Sequence, residues 1–287
     1  MSKIRAVEFN KLPNIISSIG NLISKDSSPI QPKNEKEIKR EFQHEKWKNL
    51  LKKIKNTKDL SLHNIEKIQN DNLLKTAFYF KNRFYLSDNT RIHQEHIKLY
   101  SEFLKPYIKS ASCLIEFGAG YGSKILGLSQ NTEFSKLSLY AGEYTQAGCS
   151  CIKILAKALK ANVNVGFCDF INCKSDFKKI PPNGIIFTSY AAHYIPQIPR
   201  NFADFLLSFE PKIIINFEPV YELLDKKTIH GLLCRKYMEQ NDYSKNLFSI
   251  VKKNCTKKNL SLKVTKNVIS SNPFLPISVL EWGQRLK

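Results

Sequence analysis

The segment Leu114-Ile115-Glu116-Phe117-Gly118-Ala119-Gly120-Tyr121-Gly122-Ser123 decides how this chain is read. Cys113–Phe117 is a short, nearly continuous apolar run, the pattern of a fully buried strand. It breaks into three glycines that alternate as G-x-G-x-G. Glycine permits a sharp turn and lets a ligand approach the backbone closely. A helix that starts there offers free N–H groups to an anionic group. The nearest competitor is the dinucleotide-binding fingerprint, which wants its third glycine three residues after the second. That position holds Ser123, and the acidic Glu116 stands two residues before the first glycine.

Downstream, short apolar runs alternate with helical stretches. Strands are expected at Cys113–Phe117, Leu137–Glu143, Val163–Cys168, Gly184–Ser189 and Lys212–Phe217, with the clearest helices at Thr145–Lys160 and Phe202–Leu207. This alternation implies βαβ units and a mainly parallel sheet. Leu260–Ile269 and Ser278–Trp282 flank Ser-Ser-Asn-Pro and read as an antiparallel pair closing the sheet. Tyr221–Asn254 reads as one long helical stretch. The expectation is an α/β, Rossmann-like, seven-stranded, mainly parallel sheet with an antiparallel C-terminal strand.

Upstream the texture is different: lysine-rich, poor in glycine and helical. Ser27–Asn34 reads as a loop. Glu35–Lys55 carries Ile38, Phe42, Trp47, Leu50, Leu51 and Ile54 at helical spacing. A second helix is expected over Ser61–Phe78 and a third over Arg91–Tyr107, ended by Pro106. The division is therefore a helical N-terminal region, 1–109, and an α/β domain, 110–287. His93 and His96 form an HxxH pair with no evident third ligand, so they read as a core or surface pair and no metal site is expected. The aromatic stretch Thr76–Tyr85 reads as a lid over the site or as packing of the appendage onto the sheet.

Hydrophobic residues make up 42% of the 287 residues, enough for a sizeable core. Seven cysteines at irregular spacing suit buried reduced thiols better than a disulfide framework. Met1–Asn21 lacks the apolar core of a signal peptide, and no apolar run has the length of a membrane span. A cytoplasmic protein is expected. The net charge of +20 comes from scattered lysines. It reads first as solvated surface and second as a face for nucleic acid, a partner not favoured here. A small acidic or phosphorylated substrate would also suit it.

The glycine segment resembles motif I of class I S-adenosylmethionine-dependent methyltransferases, and the resemblance continues in order downstream. It implies S-adenosyl-L-methionine as cofactor. The loop Gly118, Ala119, Gly120 and Gly122 would pack against the methionine part, with Glu116 helping to hold its amino group. Glu143, with Tyr144 beside it, ends the second strand. There the family uses a carboxylate on both ribose hydroxyls, since two oxygens match two adjacent donors. Asp169 would meet the adenine amino group and Phe170 would flank the ring. Thr188-Ser189-Tyr190-Ala191-Ala192-His193-Tyr194 is the motif IV region, beside the transferred methyl group, where Ser189 would touch the cofactor.

Motif IV lacks the N/D-P-P-Y/F run of exocyclic-amine methylation. It offers His193, whose ordinary pKa suits it as a general base for a hydroxyl acceptor. Tyr194 and Glu218 would then face the substrate. A looser likeness, on Glu143-Tyr144-Thr145, Ala-Ala-His-Tyr and Phe-Glu-Pro-Val-Tyr-Glu, is to bacterial sugar O-methyltransferases. The leading expectation is methyl transfer to a hydroxyl of a sugar, nucleotide-sugar or other small metabolite. The alternatives are an RNA or protein methyltransferase, a non-catalytic cofactor-binding module and, least, a nicotinamide dehydrogenase.

Overall fold

The computed structural model describes residues 5–24, 33–69 and 76–284. In chain order the elements are β1 Arg5–Val7, α1 Ile15–Ser24, α2 Glu35–Lys39, a π-helical segment Arg40–Trp47, α3 Lys48–Lys55 and α4 Leu62–Gln69. A hairpin follows, β2 Thr76–Phe80 and β3 Arg83–Ser87, then α5 Asn89–Ile108. The alternating part comprises β4 Cys113–Phe117, α6 Ser123–Ser129, β5 Ser138–Glu143, α7 Gln146–Ala158, β6 Val163–Asp169, β7 Lys174–Ser175, β8 Ile185–Ser189, α8 Phe202–Leu207 and β9 Ile213–Pro219. The remainder is α9 Ile229–Gln240, α10 Leu247–Lys257, β10 Ser261–Ser270 and β11 Ile277–Gly283.

β4, β8 and β9 are buried along their whole length, as expected of strands covered by helices on both faces. β4 pairs in parallel with β5 on one side and with β8 on the other. The chain thus leaves β4 in one direction, through β5 and β6, and returns to β4's other side with β8. Between β4 and β8 lies a topological switch point, where open α/β sheets bind ligands at the carboxyl ends of the strands. β11 runs antiparallel between β9 and β10.

Three expectations need correction. Among the described residues the sheet has eleven strands, not seven, in the order β1-β3-β2-β10-β11-β9-β8-β4-β5-β6-β7. The strands read from the sequence lie contiguous within it, and β7 and the N-terminal β1, β2 and β3 extend it. Accordingly, the N-terminal region is not purely helical. The helix expected over Ser61–Phe78 is described over Leu62–Gln69; residues 70–75 lie outside the described set, and Thr76 opens a strand. Thr-Ala-Phe-Tyr-Phe is β-prone, and Lys81 and Asn82 adopt φ of 45° and 63°, the turn that matches strand twist in a two-residue hairpin. The aromatic stretch Thr76–Tyr85 is therefore part of the sheet, pairing with β10 through Ile269↔Phe80 and Ser270↔Tyr79.

Smaller departures follow the same logic. Tyr221–Asn254 is a short 3-10 turn and two helices, α9 capped by the Thr228 side chain. α5, capped by Asp88, continues two residues past Pro106, which was expected to end it. Most of the expected loop Ser27–Asn34 falls outside the described residues; Asn34 itself caps α2. Leu50 and Ile54 of α3, Ile65 of α4 and Leu99 and Leu104 of α5 share one buried cluster with Leu114, Ile125 and Ile152 of the alternating part. Among the described residues, no helix is long and apolar enough to cross a membrane.

Candidate functional site

The glycine loop adopts the left-handed conformation at all three glycines, with φ of 74°, 59° and 85° at Gly118, Gly120 and Gly122. A Cβ on Gly118 would stand 2.3 Å from the Cβ of Ala191, so β4's exit can approach β8's exit only without a side chain. Gly118 and Ala119 donate their N–H groups to the Gly142 carbonyl at 2.8 and 3.0 Å, which fastens the loop to β5.

Three carboxylates stand at successive strand ends. Glu116 is buried and accepts from the Ile125 N–H at 2.8 Å. Burial raises its pKa to about 8, opposed by that N–H and by Lys124. Glu143 is buried too, and its pKa is also raised by desolvation. Its Oε1 accepts from the N–H and hydroxyl of Thr145 at 3.0 and 2.7 Å, and its Oε2 accepts from Gly120 N–H at 2.9 Å. Asp169 Oδ1 accepts from Ile171 and Asn172 N–H groups at 2.8 and 3.2 Å.

Two cavities flank the loop. The smaller, about 100 Å³, is lined by Glu143, Tyr144, Asp169, Phe170 and neighbours. The larger, about 370 Å³, is lined by Glu116, Ala119, Ser189, His96 and five tyrosines, among others. Both share Phe42, Trp47, Gly118, Gly120, Tyr190 and Tyr194, so they adjoin as two arms around the loop.

The N-terminal helices roof this space through Phe42 and Trp47, whereas the sequence had offered the aromatic stretch Thr76–Tyr85 as the lid. The Trp47 ring lies 3.0 Å from where a Gly120 Cβ would be. The Phe42 and Tyr194 rings meet edge-on at 4.7 Å. The roof is held by Gln43, which accepts from Ala147 N–H at 3.2 Å, and by Glu41, paired with Lys33 at 3.0 Å and Lys46 at 2.6 Å. Those cations hold the Glu41 carboxyl below its ordinary range despite burial. Helical spacing marks Phe42 and Trp47 as apolar-face residues but does not say that the face covers a loop seventy residues on.

Of the residues anticipated from sequence, Glu116, Gly118, Ala119, Gly120, Glu143, Tyr144, Asp169, Phe170, Ser189 and Tyr194 all line one arm or both. Gly122 does not: a Cβ there would face Ile152 and Leu126 in the core. Glu218 is fully buried and does not line the space. Its carboxylate accepts from the N–H groups of Ala191 and Ala192 at 3.0 Å and from His193 Nδ1 at 3.1 Å. It therefore holds the turn after β8, where Tyr190 has a left-handed φ of 49° that a bulky residue adopts only when its surroundings impose it.

His193 is likewise fully buried and lines neither arm. Tyr194 and Tyr243 wall it in, with ring centroids at 4.2 and 4.8 Å. Burial lowers its pKa, with Glu218 opposing. Both residues stand at strand ends as read, but their side chains point beneath the rim. The HxxH pair, read as a core or surface pair, is buried and also lines the larger arm: His93 meets Glu66 at 3.3 Å, and Glu66 accepts the Tyr121 hydroxyl.

No family model and no curated protein matches this chain. Among solved structures it is similar to magnesium protoporphyrin IX methyltransferase from Synechocystis PCC 6803 with bound SAH, at 11% identity and a TM-score of 0.54, over 88% of this chain and 100% of that one. It also matches the small RNA methyltransferase HEN1, at 14% identity and a TM-score of 0.49, over 68% of this chain and 26% of that one. An O-methyltransferase from Bacillus cereus in complex with SAH matches at 12% identity and a TM-score of 0.46, over 67% and 81%. The Synechocystis likeness shows the fold, which this chain shares with that methyltransferase over most of its length.

Proposed function

We propose that this chain transfers a methyl group from S-adenosyl-L-methionine to a hydroxyl of a small metabolite, with sugars and nucleotide-sugars as the leading acceptor class. The observation that carries the reading is the assembly at the switch point: a left-handed glycine loop with Glu116, Glu143 and Asp169 at successive strand ends, lining the two adjoining arms around it. The residues fit the cofactor. Glu143 is a buried carboxylate beside a loop that only glycine can form, and both its oxygens face N–H or hydroxyl donors that ligand hydroxyls can replace. Phe170 and Ile171 give the smaller arm the apolar walls an adenine needs, with Asp169 at its rim. Glu116 faces the larger arm, where an ammonium group would draw it into its charged form.

When bound, the cofactor supplies an electrophilic methyl carbon on a sulfonium. The protein's share is placement and exclusion of water. Trp47 and Phe42 close the top of the space, and Tyr190 and Tyr194 bound both arms. A larger arm lined by several tyrosine rings and hydroxyls suits a small hydroxylated ring. Such a pocket also takes a phosphorylated acceptor if the phosphate projects toward the basic surface. The seven free cysteines fit a cytoplasmic location.

Calorimetric titration with S-adenosylmethionine, S-adenosylhomocysteine and NAD tests the cofactor. Wild type should bind the first two, and Glu143→Ala should bind them at least tenfold more weakly, ~1.4 kcal/mol. Binding of NAD in their place would sink the reading. Transfer of labelled methyl to a nucleotide-sugar panel, set against RNA, tests the acceptor. The net charge of +20 makes RNA the rival, and label in RNA alone would decide for it.

A further inference from the structure

The roof carries a cation to the larger arm. Lys46, in the π-helical segment, lines that arm, and its side chain is 37% exposed. Its Nζ lies 4.3 Å from the centre of the Phe42 ring and 5.0 Å from that of Tyr194, and both rings are walls of the arm. The ammonium therefore stands at the edge of the cavity, within reach of solvent. It has three donors. Glu41 takes one at 2.6 Å, the Tyr194 hydroxyl can take a second, and no further partner stands against it among the described residues.

The Glu41 carboxylate is itself shared. Its Oε1 meets Lys46, while its Oε2 meets Lys33 Nζ at 3.0 Å. The Lys33 ammonium lies 5.0 Å from the centre of the Tyr194 ring and 4.8 Å from that of Tyr243. Two ammonium groups thus converge on Tyr194 with one carboxylate between them. The neighbouring acid, Asp242, is engaged by the Lys33 backbone N–H at 2.6 Å. Burial works against the charge on Lys46, but Tyr194 and Glu41 outweigh it and hold its pKa above the ordinary lysine value. Among aromatic walls such a charge is screened less than the lysines scattered over the open surface. Lys124, the other lysine lining this arm, stands in the first turn of α6 directly after the glycine loop and meets His93 Nδ1 at 3.4 Å, on the cofactor's side.

Resting on the methyl-transfer reading, we propose that Lys46, with Lys33 behind it, holds an anionic group of the acceptor, so that the substrate is a hydroxylated ring bearing a phosphate or a carboxylate and not a neutral sugar. The two anions share the chemistry, since each offers oxygens to the remaining N–H of Lys46 in a charge-assisted hydrogen bond. An acceptor anchored at the roof leaves its ring for the tyrosine walls and a hydroxyl to point toward Gly118, where the two arms adjoin. Glu41 is then the resident competitor, an anion already seated between the two cations.

Calorimetric titration of the full chain with glucose 6-phosphate, glucuronate and glucose, with and without saturating S-adenosylhomocysteine, tests this. At least one anionic probe should bind about tenfold or more tighter than glucose, and which one does so separates phosphate from carboxylate. Lys46→Gln should abolish that preference and Lys46→Arg should keep it. Lys178→Gln, on exposed surface outside both arms, should leave it unchanged. Glu41→Gln carries the telling sign. It removes the competitor, so the anionic probe should bind about threefold or more tighter. A cluster that merely braces the roof predicts weaker binding instead.

No preference for an anion in wild type, or an undiminished preference in Lys46→Gln, overturns the proposal. If Lys46→Gln does not fold, the direction of the Glu41→Gln change decides. Binding of S-adenosylhomocysteine without any anion preference sinks this proposal and leaves the methyltransferase reading standing. Anion preference without S-adenosylhomocysteine binding does the reverse: the anion site stands and the methyltransferase reading fails.

Discussion

At the scale of single residues, the site is a set of buried ionisable groups whose charge states depend on what occupies it. Glu116 shows the sign clearly. Its pKa rises from the ordinary 4.5 to about 8 in the folded chain. The folded state therefore holds a proton that the unfolded state has lost between these values, and stability falls as pH rises through that window. Below pH 4.5 the penalty is absent; above 8 it is complete. Glu116→Gln should gain in melting temperature relative to wild type as pH is raised from 5 to 8. A constant difference across that range would show that Glu116 is already ionised in the folded chain. The same residue accounts for part of what sequence reasoning could find. An acid two residues before a glycine loop marks a strand end, and strand ends gather at one rim. The sequence does not say whether the side chain reaches that rim or turns below it. Glu143 and Asp169 reach it, whereas Glu218 and His193 bind one another beneath it.

At the scale of elements, two kinds of segment behave differently. Buried parallel strands are legible because both faces are covered: Ile185–Phe187 and Ile213–Ile215 open their strands as continuous apolar runs, and burial continues through the polar residues that follow. The β2–β3 hairpin is not legible in the same way. Asn70-Asp71-Asn72 is a break signal that the sequence reading passed over, because the aromatic run beyond it suits a helix face or a strand equally. The Lys81–Asn82 turn settles the matter through its left-handed backbone and through Tyr79, whose hydroxyl donates to Asn82 Oδ1 at 2.7 Å. Asn82→Val should lower stability by about 1–2 kcal/mol, because a β-branched residue resists that φ. Asn82→Gly should cost less. Urea unfolding of the two variants measures the difference, and equal losses would mean that the side-chain hydrogen bond outweighs the backbone. The roof was hidden for another reason. Helical periodicity names Phe42 and Trp47 as partners of something apolar, but only tertiary structure shows that the partner is Gly120.

At the scale of the whole molecule, the N-terminal region and the alternating part share a sheet and a core. The two tryptophans report on them separately: Trp47 sits in the roof, while Trp282 is buried in β11 with its Nε1 donating to Asn216 Oδ1 at 2.7 Å. Single-tryptophan variants, Trp282→Phe and Trp47→Phe, should unfold with coincident midpoints in denaturant. An earlier transition at Trp47 would identify the roof as a separately melting unit.

Finally, the hairpin at Thr76–Ser87 finds its sheet partner in Ser261–Ser270, some 180 residues later in the chain. A ribosome makes the hairpin first and its partner long afterwards. During that interval Phe78, which is fully buried in the finished protein, and the aromatic residues beside it have no sheet to join. The nascent chain therefore carries an aromatic, edge-exposed ribbon through most of its synthesis, which makes it a natural client for chaperones that shield such segments until the partner strand emerges.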